Sequence, residues 1–114
     1  MSSEMLTAAQ REAGAKVLRA LAHPLRLGVL QSLRRGERTV TELYEELGCS
    51  QSMMSQQLGI LEAHGLIRTR KEGTVKYCAL RNPDFLHLFA CMRRHLLTVL
   101  RLPDDAAGAA EERD

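Results

Sequence analysis

Apolar residues recur at helical spacing in five stretches of this chain, with two β-branched segments between the fourth and the fifth. Thr7 to Ala22 carries Val17, Leu18 and Leu21 with alanines between them, an amphipathic first helix. His23-Pro24 interrupts the pattern, and Pro24 suits the first position of a second helix through Leu25, Leu27, Val29, Leu30 and Leu33, which Gly36 ends. Thr41 is expected to cap a short third helix, Glu42 to Leu47, with Gly48 as the turn that follows. Ser50 caps a fourth, where Leu58, Leu61 and Met54 form the apolar side and Gly65 marks the end. Leu66 to Lys71 and Thr74 to Leu80 then read as the strands of a hairpin around a Glu72-Gly73 corner. Asn82-Pro83-Asp84 supplies the cap, first position and early acid of a last helix, which Leu102-Pro103 stops.

The fourth helix bears a second pattern. Apart from its buried side it presents Gln51, Ser52, Ser55 and Gln56, with Gln57 grouped with them. Such side chains read base edges in a major groove: glutamine meets adenine through two hydrogen bonds, and serine meets donors or acceptors. A short helix, a glycine turn, this helix and a basic hairpin, in order over residues 41–80, are the layout of a winged helix-turn-helix. The expected fold is mainly α with a small β-hairpin wing: about five helices plus two strands.

Charge sharpens that reading. The 114 residues hold 16 Lys and Arg against 14 Asp and Glu, but five of the acids fall within 103–114 beside Arg113 alone, leaving residues 1–102 at +6. Between Leu66 and Arg81, the bases Arg68, Arg70, Lys71, Lys76 and Arg81 face the single acid Glu72. Arg68, Arg70, Lys71 and Lys76 are the expected phosphate ligands on double-stranded DNA. The same balance divides the chain into a disordered N-terminus (1–6), a DNA-binding and dimerisation domain (7–102) and an acidic disordered tail (103–114). Met1 to Leu6 has no apolar run, and no segment approaches the ~20 apolar residues of a membrane span. A cytoplasmic protein without a membrane partner is expected. No glycine-rich phosphate loop, nucleophile elbow or H-E-x-x-H occurs, so an enzyme is not.

The last helix has a wide apolar face in Phe85, Leu88, Phe89, Met92, Leu96 and Val99, and a second copy of the chain is the simplest thing to cover it. Two reading helices about a two-fold axis imply an inverted-repeat operator. Beside that face run Asp84, His87, Cys91 and His95, all competent ligands for zinc or a softer metal. The ends of the stripe lie ~16 Å apart on one straight helix, so a closed site needs two helices crossing in a dimer. A divalent or soft metal there would be an inducer, not a requirement for DNA binding. In the plain alternative Cys91 packs as a small interface residue and the histidines lie at its rim. Three scattered cysteines form no disulfide framework. Cys49, at the N-terminal edge of the recognition helix, and Cys78, on the second wing strand, are redox candidates against the plain reading that both are packed.

With A-H-P-L-R-L-G-V-L at 22–30, T-V-T-E-L at 39–43, the run from Leu47 to Ile67 and R-K-E-G-T-V-K-Y at 70–77, the chain resembles the ArsR/SmtB-type repressors over roughly residues 15–100. The resemblance implies a winged-helix homodimer joined through its first and last helices, which adds Leu18 to the interface. It also implies base readout by Gln51, Ser52, Ser55 and Gln56, and release from DNA by an effector. The family's sensor positions are altered: its thiolate pair falls on Thr39 and Thr41, and its zinc ligands on Asn82, Asp84, His95 and Thr98. Its dithiol positions fall on Gln31 and Leu97, and those late on the recognition helix on Ile60 and His64. Two alternatives stay open: a repressor with no effector, and a metal-binding or protein-interaction module without specific DNA binding.

Overall fold

A computed structural model describes residues 5–104, so the disorder expected of 1–4 and of the tail from 105 onward falls outside the described residues. Helix α1 (Ala8–Leu21) begins at Thr7, whose hydroxyl accepts from the Gln10 amide while the Gln10 side chain accepts from Thr7 N. Helix α2 (Pro24–Ser32) begins where His23 Nδ1 accepts from Leu25 N and Pro24 occupies the first turn. A 3₁₀ turn, Leu33–Arg35, ends it at Gly36.

Two features depart from the sequence expectation. Arg38 and Thr39 form a short strand, β1 (Arg38–Thr39), so the hairpin of β2 (Ile67–Glu72) and β3 (Val75–Leu80) becomes an antiparallel three-stranded sheet in the order β1-β3-β2. Helix α3 (Val40–Leu47) is capped by Thr39 and not by Thr41. Thr39 Oγ1 accepts from Glu42 N at 3.0 Å, and Glu42 Oε1 accepts from Thr39 N at 2.9 Å. Only Thr39 has a glutamate three residues on, and that reciprocity sets the start. The Thr39 amide also holds the Glu42 carboxyl below its ordinary pKa.

Gly48 closes α3 at φ 70°, a left-handed conformation in which its N–H reaches Tyr44 O. Helix α4 (Gln51–Ala63) follows at once, capped by Ser50 on Met53 N. Gly28 permits the close approach of α2 to α3, since a Cβ there would lie 3.1 Å from Leu47 Cδ2. Val29 and Leu30 of α2, Leu43 of α3, and Met54, Leu58 and Leu61 of α4 are buried in one core, closed below by Leu66, Ile67 and Cys78.

The chain divides after Pro83 into two compact units. In the second, Pro83–Leu86 makes a 3₁₀ turn and helix α5 is His87–Thr98. The α-helix proper therefore starts four residues later than expected, after Leu86, with Asn82 directly before the 3₁₀ turn, and the expected run to Leu102 is cut short. Pro83 presets φ for a helical turn of either kind, and the tighter one prevails at the start. No residue of α5 is buried, and Val99, just past its end, is 60% exposed.

The cap makes a direct prediction. Thr39→Ala should lower unfolding free energy by about 1 kcal/mol, and Thr41→Ala, at an exposed position, by less than about 0.5 kcal/mol. Urea denaturation of the two variants checks this.

Candidate nucleic-acid interface

The apolar seam of α4 leaves Gln51, Ser52, Ser55 and Gln56 exposed, as the pattern of the sequence required. Gln57 is the correction. It is buried, at 6% exposure, because its side chain turns to Arg26 of α2 and not to solvent. Burial of Met54 is complete.

The wing sorts its bases by strand alternation. Lys71 and Lys76 stand directly opposite each other in the β2–β3 register, and neither has an ion-pair partner among the described residues. Arg70 faces the other side, where it pairs with Tyr77 in register and lies 4.3 Å from the centre of that ring. Its guanidinium holds Glu37 through two hydrogen bonds of 2.9 and 2.7 Å and Glu72 at 3.0 Å. The bond from Arg70 lowers the Glu37 pKa, and the bond to Glu37 raises that of Arg70. Arg68 is exposed, on the same side as Arg70. The four bases that read as one patch thus form two sets, and the arginine nearest the turn is already engaged within the chain.

A groove of about 580 Å³ lies between the recognition helix and the wing, lined by Gln51 and Ser55 of α4, Lys71 and Lys76 of the wing, Thr74 and Val75 at its turn, and Thr39, Val40 and Thr41 at the start of α3. Short polar side chains of α4 and two lysines of the wing therefore face one concavity. Ser52, Gln56, Arg68 and Arg70 lie outside it. The start of α3 and the exposed Val75 were missed in the sequence. A short threonine-rich segment gives no charge signal, and only the sheet contact of β1 brings it beside the wing.

A helix-turn-helix domain family matches residues 21–70. An HTH-type transcriptional regulator of Mycobacterium tuberculosis, Rv0081, is 36% identical over 87 residues, covering 75% of this chain and 76% of that one. A probable mercury resistance operon repressor of Streptomyces lividans is 33% identical over 102 residues, covering 87% and 82%. The solved homodimeric winged helix-turn-helix DNA-binding domain of Mb0332 from Mycobacterium bovis, a possible ArsR-family regulator, superposes with a TM-score of 0.69 at 31% identity over 84% of this chain and 94% of that one. The chain belongs to the ArsR-type winged helix-turn-helix regulators.

Within this ArsR-type chain, the candidate sensor residues are dispersed. Among the described residues, no three His, Cys, Asp or Glu side chains come close enough to hold a metal ion. Asp84 lies in the 3₁₀ turn, so it does not share one helix with His87, Cys91 and His95. Those three are exposed. Cys49 is half-buried beside the Ser50 cap. Cys78 is sealed in the core at 0% exposure, and burial pushes its thiol up to about 11, so near neutrality it is neither ionised nor accessible. That overturns its reading as a redox group. His23 and His64 serve backbone contacts, to Leu25 N and Ile60 O.

Because the Cys78 pKa is raised on folding, its contribution to stability is intact below the ordinary thiol value of 9.0 and is lost as pH rises through about 11. In an iodoacetamide time course at pH 8, Cys91 should label first and Cys78 only after unfolding, read by peptide mass spectrometry.

Proposed function

We propose that the protein is a homodimeric transcriptional repressor of the cytoplasm that occupies an inverted-repeat operator in double-stranded DNA and leaves it on meeting a metal or thiol-reactive effector. The groove that sets Gln51 and Ser55 against Lys71 and Lys76 carries the reading. Gln51, Ser52, Ser55 and Gln56 read base edges in the major groove, while Lys71 and Lys76 hold the backbone. Arg68 adds a phosphate contact from the other side of the wing. Arg70 reaches a phosphate only by sharing the charge it gives to Glu37 and Glu72, so its larger part is to stiffen the wing.

The second copy follows from α5. Phe85, Leu88, Phe89, Met92 and Leu96 are half-exposed, and Leu18 and Val99 are 55% and 60% exposed. Apolar side chains of that size find cover in a two-fold partner, and the relative from M. bovis is homodimeric. The effector is constrained in the same way. One chain does not fit a metal at Asp84, His87, Cys91 and His95, so an ion held there takes ligands from both copies. The exposed Cys91 and the half-buried Cys49 are the thiols in place for modification.

Binding measured by fluorescence anisotropy tests the DNA half. About 6–10 phosphate contacts imply a loss of about 10³–10⁵ in affinity between 50 and 200 mM salt, and Lys71→Ala should lower the salt slope by about 1. A flat salt response refutes the reading. For the dimer, Leu96→Glu should give a monomer by light scattering and lose most operator affinity. A Zn, Cd and arsenite series on reduced wild type and Cys91→Ser tests the effector; retention of no metal, with operator binding unchanged, removes that half.

A further inference from the structure

The recognition helix has one polar side chain that faces inward. Gln57 shares the buried side of α4 with Met54, Leu58 and Leu61. A buried amide needs partners, and it has two: Oε1 accepts from Arg26 Nε at 2.7 Å, and Nε2 donates to Met53 Sδ at 3.3 Å. Arg26 lies on α2, and its Nη1 donates to Ala20 O, in the last turn of α1, at 3.0 Å. One planar guanidinium therefore bridges the end of α1 and the inner side of α4.

The bridge is directional. Among the described residues Arg26 makes no ion pair, and both of its acceptors are neutral, one of them at the negative end of a helix dipole. A leucine would fill the space of Gln57, so packing alone does not ask for an amide. The leucines and methionine around it set which side of α4 faces the core, but apolar contacts are non-directional and oppose a small rotation about its axis less sharply than a hydrogen bond does. With side chains ~5–6 Å from that axis, a turn of ~10° moves their tips by about 1 Å, more than the ~0.5 Å that a preorganised polar contact tolerates.

Resting on the DNA-reading role proposed above, we propose that Arg26 and Gln57 are positioning residues for base readout: the Ala20–Arg26–Gln57 bridge locks the rotation of the recognition helix against the end of α1. Gln51, Ser52, Ser55 and Gln56 then meet the bases in one register. A displacement of the end of α1 reaches the reading face through the same guanidinium.

The test starts from a random-core duplex DNA library, enriched by wild-type protein to give a preferred sequence. Gln57→Leu should keep its helix content and its salt slope, while its preference for that sequence over random duplex falls about tenfold. Gln57→Glu, which still accepts from Arg26, should keep the preference. Arg26→Lys, which lacks the fork, should lose it like Gln57→Leu and decides the matter if the leucine variant does not fold. Undiminished preference in both Gln57→Leu and Arg26→Lys overturns the bridge, as does a parallel loss on preferred and random DNA. A wild-type protein that enriches no sequence overturns the operator reading itself, and the bridge with it.

Discussion

Met54, Leu58 and Leu61 recur on α4 at spacings of three and four residues and are wholly buried, and the depth of that seam decides which residues of the helix can meet anything outside the chain. Once those three are buried in one core with Val29, Leu30 and Leu43, Gln51, Ser52, Ser55 and Gln56 are left exposed, Gln51 and Ser55 in the groove beside the wing. The caps serve the same seating. Ser50 fixes where α4 begins, and the left-handed Gly48 swings the chain from α3 into it with a single residue to spare. Removing one of the buried leucines would cost about 2–5 kcal/mol, a large share of the 5–15 kcal/mol by which a domain of this kind is stable. The exposed polar face of α4 and the core are thus two sides of one packing solution.

The wing rests on different physics. Its inner end is apolar, with Ile67 and Cys78 in the core, while its outer half is held by Arg70 stacked on Tyr77 and forked onto Glu37. Thr69, whose hydroxyl donates to Glu62 at 2.9 Å, ties the first wing strand to α4. A hairpin of two six-residue strands is marginal alone, and these polar contacts, with β1 along its edge, keep its outer half beside the recognition helix.

Local signals were legible because they act within a few residues. Ser50, Gly48, Gly65 and Pro24 marked their boundaries correctly, as did the alternation of leucines with short polar groups on α4. What escaped was set at a distance. Gln57 reads like its exposed neighbours, and its burial depends on Arg26, 31 positions earlier. Arg70 reads as a free cation, and its partner Glu37 lies 33 positions away. A two-residue strand has no periodicity to detect, so β1 was invisible, whereas the reason for capping by Thr39 and not Thr41 stood in the sequence as Glu42, three residues on. At the last helix the Asn-Pro-Asp signal was genuine turn chemistry, but it specified a 3₁₀ turn before the helix. Of the groove, the polar side chains of α4 and the two wing lysines were legible, whereas the contribution of α3 was not.

Lys71 and Lys76, opposed across the wing without an ion-pair partner among the described residues, leave a like-charge repulsion in the free protein. An anion seated between them relieves it and so favours the folded state by mass action. The stability of the free protein therefore depends, at that corner, on whether chloride, phosphate or a polyanion supplies the counter-ion.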